Sequence, residues 1–156
     1  MKNYGTAAGF QPARRFNRRN GQGGRFLAAA CCRVPFEDDG YPVQWLGGSV
    51  GLLQGSARPG EGVSVLTGHN HLSLTETGPF AFLLQLEPGT KLFVLKENGG
   101  LIPFSVIRSE SVAAEDISGL ETIVNQFENA LALVTCENER PSGGYADHRV
   151  VIAVPD

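Results

Sequence analysis

Cysteine is scarce in this chain: three in 156 residues, with Cys31 and Cys32 adjacent and Cys136 standing alone. That pattern excludes a disulfide framework. Long apolar runs are missing as well. The longest in the first 33 residues, Phe26 to Cys32, is about a third of the roughly 20 residues a membrane-spanning helix needs. No such helix is expected there. Arg14-Arg15 and Ala30-Cys31 each have the outline of an export signal but lack the longer apolar stretch such signals require. Acidic residues are absent from positions 1 to 33, which carry Lys2, Arg14, Arg15, Arg18, Arg19, Arg25 and Arg33. The rest of the chain holds six basic residues against all sixteen acidic ones, a net of about −10. So acidic a body argues against nucleic-acid binding by the folded part. Paired metal ligands are missing too. His69 and His71 supply two imidazoles, but no second pair follows at zinc-ligand spacing. There is no internal repeat.

What the chain does contain is glycine, twenty residues of it, scattered between short apolar runs. That combination predicts β-structure with many turns, and the length fits one domain with a single core. Residues 1 to 33 read as a basic, flexible N-terminal segment, rich in Gly, Asn, Gln and Arg up to about residue 25. Val34 to Trp45 is the region of an opening strand, interrupted by the polar stretch Phe36 to Tyr41. Gly62 to Gly68 is a strand. Glu76 to Leu86 fits either a short helix from Pro79 or a buried strand. Lys91 to Lys96 and Leu101 to Arg108 flank Asn98-Gly99, a hairpin signal in which both turn residues favour φ > 0. Ile117, Leu120, Ile123, Val124 and Phe127 recur at helical spacing, with Asp116 or Ser118 as the cap. Leu131 to Cys136 and Arg149 to Val154 are the last two strands.

Three of those strand ends carry reactive side chains. Val65 to Gly68 leads into His69, Leu131 to Thr135 leads into Cys136, and Arg149 opens the final strand. A thiol, an imidazole and a guanidinium are a nucleophile, a proton-transfer group and an oxyanion stabiliser. Each has a plainer reading. A cysteine in an apolar strand is often core filling, a loop histidine is often solvated, and a strand arginine is often held by a neighbouring acid, here Asp147 or a nearby glutamate. His71 and His148 are rival imidazoles, although alternation along the last strand points His148 away from the Arg149 side. A papain-like arrangement does not fit, because here the histidine precedes the cysteine and the cysteine lies on a strand.

Gly68-His69, Thr135-Cys136 and Arg149, taken in that order, resemble the sortases, cysteine transpeptidases of Gram-positive cell surfaces. Val34-Pro35, Pro42-Val43 and Leu86 to Val94 extend the resemblance over residues 34 to 154. It implies a mainly β fold, a closed barrel of about eight strands with one or two short helices. It implies a catalytic domain over residues 34–156, with Cys136, His69 and Arg149 catalytic, Thr135 positioning substrate, and Cys136 and His69 reacting as a thiolate–imidazolium pair. The implied substrate is a sorting peptide such as Leu-Pro-any-Thr-Gly. The implied acceptor is an amine of a wall precursor or a pilin, at the extracellular face of the cell. No cofactor is expected. Some sortases bind calcium through loop carboxylates, and nothing fixes Glu76, Glu115 or Asp116 in that role. A catalytically idle peptide-binding domain is the alternative.

Overall fold

The computed structural model describes residues 28–30, 32–33, 50–53, 55–96 and 98–156. The expected flexible tail up to residue 25 and the expected strand over Val34–Trp45 lie outside them. The fold is mainly β. One sheet contains β1 (Ala28–Ala30), β2 (Cys32–Arg33), β3 (Gly51–Leu52), β4 (Val63–Thr67), β5 (Lys91–Leu95), β6 (Leu101–Ala113), β7 (Ala130–Glu139) and β8 (Tyr145–Pro155). Their order across the sheet is β1-β5-β6-β8-β7-β4-β3-β2. The two outermost strands in that order, β1 and β2, are consecutive in the chain, with only Cys31 between them.

The sheet curls around one core and carries a second on its other face. Strand alternation sends every second residue to each side. Leu66, Phe104, Val106, Leu131, Leu133, Val151 and Ala153 therefore share the inner face, closed by Phe80, Leu83 and Leu86. Val65, Val112, Ala132, Val134, Val150 and Ile152 face outward and are covered by the α-helix α1 (Ile117–Val124) through Val124, Leu120 and Ile123. With both faces buried, β7 and β8 read as near-continuous apolar runs. Asp116 caps α1, its carboxylate accepting from the Gly119 amide at 2.9 Å. Such a cap contributes about 1 kcal/mol.

Of the two readings after Pro79, the structure takes the short helix, a 3-10 helix over Ala81–Gln85. Other local expectations are corrected. The β5–β6 hairpin forms, but among the described residues of its turn Gly99 alone is given a positive φ (84°). The Gly99 amide donates to the Lys96 carbonyl and the Lys96 amide to the Gly100 carbonyl, so the loop is longer than a two-residue turn. Cys136 does not end its strand. β7 runs three residues further, to Glu139, and Arg149 is interior to β8 instead of opening it. The extension is held by a tight connection, in which the Arg140 amide donates to the Gly144 carbonyl and the Gly143 amide to the Arg140 carbonyl.

Candidate active site

The register of β7 against its two neighbours organises the site. β4 pairs with β7 in parallel, with Thr67 beside Val134. The Gly68 amide continues the ladder, donating to the Val134 carbonyl at 3.3 Å. His69 follows directly, in a segment that is bonded to β7 on both sides of it, at Thr135 through Gly68 and at Cys136 through Asn70. On the other side β8 runs antiparallel, with Thr135 opposite Arg149 and Cys136 opposite His148.

Side-chain hydrogen bonds lock the His69 segment to β7. The Thr135 hydroxyl donates to the Gly68 carbonyl at 2.7 Å. The buried Asn70 donates its amide to the Cys136 carbonyl at 2.6 Å. From behind, the Phe80 amide donates to the His69 carbonyl at 2.9 Å, and the Gly78 amide to the Asn70 carbonyl at 2.6 Å. Gly78 has to be glycine: a Cβ there would lie 2.1 Å from the His69 carbonyl oxygen. His71 is exposed, in an isolated bridge with Thr77, and its Nδ1 lies 3.1 Å from the Asn70 side-chain oxygen.

Alternation separates the candidates into two rows. Thr135 and Arg149 face the side of Leu133 and Val151, the inner core. Cys136 and His148 face the side of Val134 and Val150, the outer core. On the inner row, Arg149 binds Glu137 through two points, Nε to Oε2 at 2.7 Å and Nη2 to Oε1 at 3.2 Å. Ser111, paired with Arg149 from β6, donates its hydroxyl to the same Glu137 carboxylate at 2.5 Å. The acid that holds Arg149 is thus Glu137, not its neighbour in sequence Asp147, whose carboxylate accepts from Asn138 at 2.6 Å.

Electrostatically the site is set by burial. Burial raises the Cys136 thiol above its ordinary value, with no other cause contributing. Burial lowers His69 below 6.5. His148 is lowered too, mainly by burial, with Asp147 opposing. Each shift disfavours the charged form of a half-buried group. At neutral pH the favoured resting state is a neutral thiol flanked by neutral imidazoles. Such a set can move a proton internally without creating net buried charge.

Sequence reasoning missed Asn70 and Glu137. Asn70 follows the Gly-His pair directly, and its only signal is a polar residue at a position the sheet buries. Glu137 reads as loop until β7 is known to continue through it.

The sortase domain family model matches residues 36–156, and the chain belongs to the sortase family. No curated protein sequence matches it. Among solved structures, a lid mutant of sortase A from Corynebacterium diphtheriae matches with a TM-score of 0.59 at 19% identity, covering 84% of this chain and 62% of that one. Sortase C-1 from Actinomyces oris matches with a TM-score of 0.52 at 26% identity, over 69% of this chain and 58% of that one. A Clostridium perfringens sortase D5 transpeptidase matches with a TM-score of 0.55 at 17% identity, over 84% and 69%. The chain thus spans about three fifths of the length of the first two. These matches span sortases named A, C and D and do not single out a subclass. Among the described residues, no helix is long and apolar enough to cross a membrane.

Proposed function

We propose that this chain is a cysteine transpeptidase that cleaves an LPXTG-like sorting signal and transfers the acyl part to an amine of a cell-wall precursor or pilin. The observation that supports this best is the parallel β4–β7 register, with Asn70 and Thr135 tying the His69 segment to the Cys136 segment. Cys136 attacks the scissile carbonyl as the thiolate of a thiolate–imidazolium pair: the S–C bond forms, the C–N bond breaks, and His69 as imidazolium protonates the leaving amine. The incoming amine then attacks the thioester, gives its proton to His69 and expels the thiolate. Thr135 steadies the backbone beside the nucleophile. To serve the developing oxyanion, as the resemblance implies, Arg149 has to bring its guanidinium across from the face opposite the thiol. Glu137 engages its Nε and Nη2 edge and leaves Nη1 for a substrate carbonyl. The reading invokes no metal or other cofactor, and its site of action is the extracellular face of a Gram-positive cell. Segment 28–33, which pairs with β5 through β1 and with β3 through β2, is the strand that would close the sheet into a barrel.

One observation favours a second reading, a catalytically idle peptide-binding domain. Burial raises the Cys136 thiol, and the one nearby guanidinium is already bound to a carboxylate. Single-turnover cleavage of a quenched sorting peptide separates the two. The first reading expects a thioacyl adduct on Cys136 by mass spectrometry and no cleavage by Cys136→Ala. Peptide binding by both proteins with cleavage by neither establishes the second.

A further inference from the structure

His148 lies directly across from Cys136 in the β7–β8 pair. Directly opposed residues share a face, with Cβ atoms about 4.5–5.5 Å apart. That distance lets an imidazole nitrogen reach the sulfur. The face also carries Val134, Val150 and Val112, all buried, while Cys136 and His148 are themselves half-buried. Along this row the order is Val112 on β6, His148 on β8, Cys136 on β7, then His69 beyond the end of β4. The thiol therefore has His148 across the β7–β8 ladder and the His69 segment on its other flank. The mechanism above uses only one of them.

The charged and titratable neighbours of His148 are few. Cys136 faces it from β7, with His69 beyond. β6 offers Val112 directly opposite and, two residues away on the same face, Glu110, whose carboxylate pairs with Arg108 at 3.3 Å. Asp147 precedes it in the chain, with its carboxylate engaged by Asn138. Arg149 lies on the other face of the sheet, bound to Glu137. Among the described residues of β6, the one cation placed on this face, Arg108, is paired with Glu110 and lies two residues beyond it. A proton acceptor can stabilise a thiolate instead, because transfer from sulfur to imidazole leaves the pair neutral overall and avoids an isolated buried anion.

We propose that His148 is a second proton-transfer group of the site: it takes the Sγ proton of Cys136 as the thiol attacks, while His69 handles the amine. This inference rests on the transpeptidase reading for its place in the reaction. In acylation the S–H bond breaks to His148, the S–C bond forms, the C–N bond breaks, and the leaving nitrogen takes its proton from the His69 imidazolium. In deacylation the incoming amine returns a proton to His69, and the His148 imidazolium returns its proton to the expelled thiolate. Protons and charge balance over the cycle, which begins and ends with His69 as imidazolium; because the resting imidazole is neutral, His69 takes that proton from solvent before acylation.

The test is the pH dependence of Cys136 alkylation by iodoacetamide, with Cys31 and Cys32 replaced by serine throughout. His148→Gln keeps a polar side chain of similar size that does not titrate. It should slow alkylation at pH 7 by about tenfold or more, equal to one unit of apparent thiol pKa, and converge with the parent protein at high pH. Superimposable profiles for the two proteins would overturn the proposal. A second measurement needs no change at His148. Its imidazole titration, followed by NMR, should shift when Cys136→Ala is introduced, and an unmoved titration also overturns the proposal. Peptide cleavage is scored separately. A parent protein that alkylates as expected yet cleaves no sorting peptide removes the transpeptidase reading and leaves the His148–Cys136 couple standing.

Discussion

Asn70 donates its side-chain amide to the main-chain carbonyl of Cys136 at 2.6 Å, fixing the turn that carries His69 to the strand that carries the thiol. The side chain is buried, so deleting it removes the donor and leaves a void beside the Cys136 carbonyl. Asn70→Ala should cost about 1–3 kcal/mol in urea denaturation. It should also lower cleavage in protein that remains folded, because the imidazole and thiol lose their common tether. Unchanged turnover in stably folded Asn70→Ala would show that the tether does not govern the reaction.

Gly78 makes a sharper test of the same turn. A methyl group there meets the His69 carbonyl at 2.1 Å and can be relieved only by moving backbone. Gly78→Ala should abolish cleavage and lower the thermal midpoint clearly. Gly89→Ala is the comparison: its φ is 92°, but a Cβ there meets nothing within 4 Å. That variant should lose stability through strain alone, on the order of 1 kcal/mol, and keep its turnover. Equal effects of the two on cleavage would contradict the role given to the close approach.

The Glu137–Arg149 pair predicts an order of stabilities. The Glu137 side chain is 6% exposed and that of Arg149 24%. Arg149→Ala strands the more buried charge and should cost about 3–5 kcal/mol. Glu137→Ala should cost less, since the guanidinium reaches solvent. Arg149→Lys should preserve much of the stability yet still impair cleavage, because an ammonium cannot hold the carboxylate and a substrate carbonyl in one planar fork. Denaturation midpoints and single-turnover rates of the three variants test this, and a near-parental rate for Arg149→Lys removes arginine from the oxyanion role.

Burial lowers both His69 and His148 from 6.5, and this gives stability a direction with pH. Between the folded and unfolded values the unfolded chain binds more protons, so stability rises with pH. The contribution is complete above about pH 6.5 and is lost as the pH falls through the lower folded values. Thermal midpoints should therefore drop on acidification from about pH 7 to 5 more steeply in the parent than in His148→Gln. Parallel curves would mean that His148 titrates alike in both states.

Much of the site was legible because its parts are local. Gly68-His69, Thr135-Cys136 and Arg149 each sit in or beside an apolar strand recognisable from a few residues, and their order along the chain survives any tertiary arrangement. The helix from Ile117 was legible for the same reason: its apolar spacing and the Asp116 cap depend only on near neighbours. The polar residues Glu137 to Glu139 gave no strand signal. They extend β7 because Arg149, Asn138 and the Gly143-Gly144 turn supply bonds that exist only once β8 folds back.

By itself the sequence determined which chemical groups this protein carries, in what order, and on which short strands. The tertiary structure decided which of them share a face. That depends on register, since side chains alternate with a period of two and a shift of one residue reverses every assignment. The pairing of Thr135 with Arg149 and of Cys136 with His148 sends guanidinium and thiol to opposite sides of the sheet. The parallel pairing of Thr67 with Val134, continued by the bonds of Gly68 and Asn70 to β7, brings the His69 segment beside the Cys136 segment. Neither register can be read from one strand alone, because each is set by the packing of both cores at once.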